Sequence, residues 1–63
     1  MLRYIINKKA DEKGLNEVHT TSCSYRPNEN NQCDLGYHAN DAKNNGWSNA
    51  DGCAYCCPKA HQG

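Results

Sequence analysis

Three cysteines and a histidine lie within nine consecutive positions near the end of the chain, as Cys53, Cys56, Cys57 and His61. Two cysteines separated by two residues can place both sulfurs on one metal ion from a single tight turn, and zinc takes four such ligands in a tetrahedron. An Asp-Gly pair, which is a turn signal, comes directly before Cys53. This segment therefore predicts a metal site or a group of reactive thiols.

The rest of the chain has little with which to build a hydrophobic core. It has 63 residues, few large aliphatic side chains and no Phe. A chain of this length buries only roughly 60% of the surface that its unfolded form exposes. Small scaffolds usually add disulfides, a structural metal or a partner subunit. We therefore expect a single small domain over residues 1–63 that its Cys and His side chains hold together.

Further possible ligands lie upstream, at His19 and Cys23. On an extended strand their Cα atoms would be about 13 Å apart, so both reach one ion only if the chain bends after Thr21. His61 competes for the same place from the C-terminal segment. The predicted ligands of a Zn²⁺ ion are Cys23, Cys53, Cys56 and His61, with His19 and Cys57 as rivals.

Two other interpretations of the cysteines stay open. A disulfide from Cys23 to a C-terminal cysteine would close a loop of about thirty residues and stabilise the fold by about 3–4 kcal/mol. Five cysteines are an odd number, however, and Cys33 is interpreted as a small apolar filler. The spacing of Cys53 and Cys56 is also typical of redox motifs, but such a site normally begins a helix in a βαβ unit, which this sequence lacks.

Local patterns predict a small α+β fold. Alternating apolar residues favour a strand over 2–7, and β-branched residues favour another over 15–22. The short connection between them favours an antiparallel hairpin. Cys33–His38 can form a third strand, and Asn40 can cap a helix over Asp41–Asn45. The expected fold is a short antiparallel β-hairpin or three-stranded sheet with one short helix, held together by a Cys/His cluster through a metal or a disulfide.

Charge and hydropathy exclude several classes of partner. Seven Lys or Arg balance seven Asp or Glu, so the formal net charge is zero. A neutral domain gains little from counterion release, so nucleic-acid binding is not expected. The sequence shows neither a signal-peptide pattern nor an apolar stretch of transmembrane length, so no membrane association is expected. The expected location is the cytoplasm, where thiols stay reduced.

Three segments resemble a group of short, uncharacterised bacterial proteins: Glu17–Cys23 (EVHTTSC), Leu35–His38 (LGYH), and Asn49–Cys57 (NADGCAYCC) followed by His61. Their pattern is EVHxxxC … LGYH … GCxYCC … H. This chain lacks a further Cys after His38, and Ala60 stands where the pattern leads us to expect another Cys. The resemblance implies that the Cys/His set is important, and it implies no activity.

The sequence contains no pattern typical of a catalytic site, such as a phosphate-binding loop or a Ser/His/Asp arrangement. We therefore expect a non-enzymatic binding, adaptor or inhibitor protein with a structural zinc-type site and a protein as its partner. The alternatives are a thiol redox or metal-handling protein that uses the C-terminal cysteines, and an exported mini-protein stabilised by disulfides.

Overall fold

The computed structural model describes residues 2–37 and 42–61 and contains a four-stranded mixed β-sheet. The strands are β1 (Tyr4–Asn7), β2 (Asn16–Thr20), β3 (Gln32–Gly36) and β4 (Ala50–Gly52). Their order across the sheet is β3-β1-β2-β4. Single 3-10 turns lie at Glu29–Asn31, Lys43–Asn45 and Pro58–Ala60. In the two described ranges, no helix has the length and apolar character needed to cross a bilayer.

The predicted antiparallel hairpin is confirmed by the pairing of β1 with β2, in which Ile6 lies opposite Val18. The connection turns at Asp11, whose carboxylate Oδ1 accepts hydrogen bonds from the backbone N–H groups of Lys13 and Leu15 at 2.8 and 2.9 Å. Asp is favoured in such turns because its side chain can bond to the backbone two or more residues on. The strand predicted around residue 33 is β3, which pairs antiparallel with the other edge of β1.

The fourth strand has no counterpart in the sequence-based prediction. β4 pairs parallel with β2, and Gly52 lies opposite Val18. Asp51 and Gly52 were expected to form a turn, and this expectation is wrong because both residues belong to β4. Gly is required here by close packing, since a Cβ atom at Gly52 would lie 2.6 Å from the carbonyl oxygen of Cys57 and 2.7 Å from Cβ of Ala60.

The one-helix part of the predicted α+β fold is not confirmed. In residues 42–45, the described part of the expected helical segment, Lys43–Asn45 forms a 3-10 turn, which ends at Gly46 with a φ of +96°. Asn residues are poor helix formers, and so short a segment cannot offset the cost of starting a helix. The expected cap Asn40 and the first helical residue Asp41 lie outside the described residues, as does His38.

The hydrophobic core is small and includes a thiol. Its buried cluster consists of Ile6, Val18, Ala42 and Cys57. Cys33 is half-buried and packs against this cluster, as expected of an apolar filler. A core of this size supplies little free energy to a 63-residue chain, so additional crosslinks matter for its stability.

Candidate metal centre

Four side chains from two distant parts of the chain converge at one end of the sheet. They are His19, Cys23, Cys53 and Cys56, and one ligand atom from each lies within 4.8 Å of the others. We call them the His/Cys group. In a zinc tetrahedron with ligands at 2.0–2.3 Å, the ligand atoms would be about 3.5–3.8 Å apart. The group can therefore hold a metal ion after small movements of its side chains.

The parallel pairing of β2 and β4 explains why these residues meet. Because the two strands run in the same direction, the segments that follow them leave the sheet at the same end. The backbone N–H of Cys53 donates to the carbonyl oxygen of Val18 at 2.9 Å, which fixes the start of the C-terminal segment against β2. Cys53 and Cys56 are thereby brought beside the end of the strand that carries His19.

A turn after β2 brings Cys23 back to His19. The backbone N–H of Cys23 donates to the carbonyl oxygen of Thr20 at 3.1 Å, so the chain bends over residues 21–22. A bend at this point is the condition under which His19 and Cys23 can reach one ion. The structure contains that bend, and it buries the Cys23 side chain.

The His19 imidazole is oriented as a metal ligand would be. The side chain is only 1% exposed, and its Nε2 lies 3.4 Å from a carboxylate oxygen of Glu17. Its Nδ1 is buried and has no hydrogen-bond partner among the described residues. Burial lowers the pKa of His19 although Glu17 opposes this shift, so the ring is neutral at pH 7. A neutral ring that donates from Nε2 to Glu17 leaves the lone pair of Nδ1 for an ion.

The three ligand sulfurs lie in a poorly solvated environment. Burial raises the pKa of the Cys23 thiol to about 11, and burial also raises the pKa of Cys56. The backbone N–H of Thr20 donates to the Cys56 sulfur at 3.3 Å. Thiols with raised pKa values, as at Cys23 and Cys56, are protonated and unreactive until a positive charge stabilises the thiolate, and a divalent metal ion would supply that charge.

His61, which the sequence analysis preferred as the fourth ligand, lies outside the His/Cys group. Its Nδ1 is 3.0 Å from the carbonyl oxygen of Gly52 and 3.2 Å from a carboxylate oxygen of Asp51. Both neighbours are acceptors, so Nδ1 carries the proton and the ring fastens the C-terminal turn to β4. The structure thus brings Cys23, Cys53 and Cys56 together, and His19 occupies the position that had been assigned to His61.

Cys57, the other rival ligand, lies beside the His/Cys group. Its side chain is buried in the core, and its sulfur is 3.8 Å from the sulfur of Cys56. All five cysteines of the chain are free in the structure. Burial raises the pKa of Cys57 as well, which is typical of a structural thiol.

Sequence reasoning did not assign a role to Glu17. The sequence nevertheless indicated that Glu17 lies near His19, because residues two apart on a strand share a face. Glu17 also lines an open cleft of about 420 Å³, together with Asp51 and His61. The hydrogen bond from the backbone N–H of Thr20 to the Cys56 sulfur is not predictable from the sequence, because any residue other than Pro has a backbone N–H.

The two segments that carry the cysteines each present an exposed tyrosine. Tyr25 follows Cys23, and Tyr55 lies between Cys53 and Cys56. Their rings stack with centroids 4.4 Å apart and an angle of 21° between the planes. The side chains are nevertheless 60% and 73% exposed, so this Tyr pair forms a flat aromatic surface beside the His/Cys group.

No protein-family model, curated protein or solved structure matches this chain. The resemblance to short bacterial Cys/His proteins therefore stays a prediction.

Proposed function

We propose that this protein is a small, non-enzymatic binding protein in which the His/Cys group holds a structural Zn²⁺ ion. The observation that carries the proposal is the Nδ1 atom of His19, which is buried without a hydrogen-bond partner among the described residues, in a side chain that is grouped with three cysteine sulfurs. An unpartnered buried polar atom costs roughly 1–3 kcal/mol. A metal ion would remove this cost by accepting the lone pair.

The ligand types favour zinc over harder ions. Three thiolates and one imidazole suit zinc, whereas magnesium and calcium require oxygen ligands. Four protein ligands also fill a tetrahedron, while catalytic zinc sites keep a position for water or substrate. The composition of the group therefore supports a structural ion, and a non-enzymatic role is part of the proposal.

The ion would crosslink the ends of β2 and β4. It would join the turn at Cys23 to the segment that begins at Cys53, thirty positions later in the chain. Because the unfolded chain has no preformed site, the free energy of metal binding adds to the free energy of folding. This crosslink would supply stability that the small core does not.

The Tyr pair supports a protein as the binding partner. Tyrosine is enriched in protein interfaces because it combines a large apolar ring with a polar atom. Tyr25 and Tyr55 are exposed and lie on the two segments that the ion would join, so metal binding would position this surface. A cytoplasmic location is also proposed, since free thiols persist in a reducing compartment.

Metal analysis tests the structural part of the proposal. Protein purified under reducing conditions should contain one zinc per chain, and Cys53→Ala should contain none. Cys33→Ala is the matched control, because Cys33 lies outside the His/Cys group, and it should keep its zinc. Zinc-free protein with five reduced thiols and an unchanged melting temperature in EDTA would refute the structural ion.

A capture experiment tests the partner. The zinc-loaded chain is used to recover proteins from a lysate, beside a Tyr25→Ala/Tyr55→Ala variant and a Tyr37→Ala control with a similarly exposed ring. A stoichiometric protein that binds the parent and the control but not the double variant is expected. Recovery of the same proteins by all three chains would contradict a role for the Tyr pair.

A thiol redox or metal-handling role is the second candidate, and the contact between the Cys56 and Cys57 sulfurs favours it. Such a role predicts thiols that react quickly with iodoacetamide and cycle with glutathione. The raised pKa values of Cys23, Cys56 and Cys57 oppose it. An exported disulfide protein would instead show a mass lower by two hydrogens per bridge.

A further inference from the structure

The His/Cys group has a fifth potential ligand beside it. Cys57 follows Cys56 in sequence, and its backbone N–H donates to the carbonyl oxygen of Cys53 at 2.8 Å. Its side chain is 7% exposed and packs in the core with Ile6 and Val18. A tetrahedral ion needs only four ligands, so the structural proposal leaves the sulfur of Cys57 without a role.

The sulfur of Cys57 lies close to one particular member of the His/Cys group, Cys56. It lies 3.8 Å from the sulfur of Cys56, so a shift of about this length would carry it to the place that the Cys56 sulfur occupies in the His/Cys group. Cys56 is also the only half-buried member of the His/Cys group, whereas the other three are buried. The extra sulfur therefore lies next to the ligand that solvent and reagents reach most easily.

Once an ion is bound, the donor and the acceptor of the hydrogen bond between the Cys56 and Cys57 sulfurs are fixed. A thiolate on zinc can only accept a hydrogen bond, so the thiol of Cys57 would donate to the sulfur of Cys56. When the Cys56 sulfur is absent or blocked, the Cys57 thiol would lose its proton to solvent as its Zn–S bond forms, and the site would again hold three thiolates.

We propose that Cys57 is a reserve ligand of the metal site, which replaces Cys56 on the ion when the Cys56 sulfur is removed or chemically blocked. The inference rests on the proposed function, because it requires an ion in the His/Cys group. It deepens that function by giving the site two alternative sets of four ligands that share His19, Cys23 and Cys53.

The experiment uses Co²⁺ as the probe and compares the full-length chain with four variants. Charge-transfer absorption of Co²⁺ in the near ultraviolet rises with the number of bound thiolates, so the spectrum counts sulfur ligands directly. The variants are Cys56→Ala, Cys57→Val, the double variant Cys56→Ala/Cys57→Val, and Cys33→Ala as the thiol control outside the site. Val at position 57 removes the sulfur but keeps an apolar side chain in the core.

The parent, Cys57→Val and Cys33→Ala should each show three bound thiolates. Cys56→Ala should also show three, with Co²⁺ affinity lowered roughly 10–100-fold, as for loss of a supporting group around a metal. The double variant should show only two thiolates and bind Co²⁺ at least 100-fold more weakly than Cys56→Ala. This non-additive pattern would identify Cys57 as the replacement ligand.

Other outcomes would overturn the inference in distinguishable ways. If Cys56→Ala shows two thiolates and the same affinity as the double variant, Cys57 is a core residue only and the four-ligand site stands. If the parent chain binds no Co²⁺, the proposed function and the reserve ligand both fall. Cys56→Ser, which preserves the side-chain volume better than Ala, repeats the comparison if Cys56→Ala does not fold.

Discussion

The two halves of the sheet, one on each side of β2 in the strand order, are stabilised by different means. On one side, β1 lies between β2 and β3 and forms antiparallel ladders with both. On the other side, β4 has three residues and pairs with β2 alone, at the edge of the sheet. We call β1–β3 the antiparallel half. β4 with the segments around Cys23 and Cys53 is the metal half.

The antiparallel half is joined by two backbone ladders. Ile5 and Ile6 are buried in its central strand, and an exposed ion pair at 2.7 Å joins Arg3, the residue before β1, to Asp34 in β3. Exposed ion pairs contribute little to stability, so backbone ladders and apolar burial hold this half together. The metal half has a strand of only three residues, and it gathers three of the four side chains of the His/Cys group. An ion should therefore raise the stability of the metal half more than that of the antiparallel half.

Removal of the metal should have the largest effect, which should be greater in the metal half. At free zinc of about 1,000 times Kd, binding adds about 4 kcal/mol to the free energy of unfolding, and EDTA removes this contribution. Hydrogen exchange should then show reduced protection at Cys53 and Cys57, whose N–H groups are hydrogen-bonded, while the protection of Ile6 in β1 changes less. Equal loss of protection in both halves would contradict the division.

Substitution of the two candidate histidines should show which one binds the metal and which one only attaches the C-terminal turn to β4. His19→Ala should weaken zinc binding by more than about 100-fold, which exceeds the cost of losing a supporting group. His61→Ala should keep zinc affinity within about tenfold, since its ring contacts β4, but should lower the free energy of unfolding by about 1–2 kcal/mol. Competition with a chromophoric chelator and urea denaturation measure the two quantities. The reverse pattern would restore the ligand set that the sequence favoured.

Packing at β4 should be sensitive to a single methyl group. Gly52→Ala places a Cβ atom 2.6 Å from the Cys57 carbonyl oxygen, so the turn at Pro58–Ala60 must move. We expect a loss of about 1–3 kcal/mol, typical of overpacking. Urea denaturation of the zinc-loaded protein measures it, with the exposed Ser48→Ala as the control. A Gly52→Ala variant as stable as the parent would show that the C-terminal turn is not packed tightly on β4.

The pH dependence of stability should differ between the metal-free and metal-bound protein. Burial raises the pKa of Cys23 from 9.0 to about 11, so between these values the folded metal-free chain keeps a proton that the unfolded chain has lost. Its stability is therefore full below pH 9 and falls as the pH rises through 11. Urea midpoints at pH 8 and pH 10.5 should show this decrease, and Cys23→Ala should reduce it. In the zinc-loaded protein the thiols are already deprotonated, so the same decrease there would contradict ligation by Cys23.

The antiparallel half was largely predictable from the sequence, because local patterns determine it. Alternating apolar residues around Ile6 and β-branched residues around Val18 indicate strands, and a short polar connection with Asp11 indicates a hairpin. β4 was not predictable in this way. Parallel pairing joins residues far apart in sequence, and the dipeptide Asp51-Gly52 is more typical of turns than of buried strands.

The candidate site was predictable in its chemistry but not in its choice of histidine. The spacing of Cys53 and Cys56 indicated two ligands on one turn, and Cys23 followed as an upstream ligand. His19 and His61 are equally suitable by residue type. Only the parallel pairing of β2 with β4, and the contact of His61 with Asp51, distinguish them, and neither is visible in a linear sequence.

The stacked rings of Tyr25 and Tyr55 have a practical consequence. Each ring belongs to a different cysteine-bearing segment, so their separation of 4.4 Å measures how closely those segments approach one another. Two aromatic chromophores at this distance couple electronically and give a circular dichroism signal that separated rings lack. This circular dichroism signal would report, without an added label, how closely the two cysteine-bearing segments approach each other as metal is added or withdrawn.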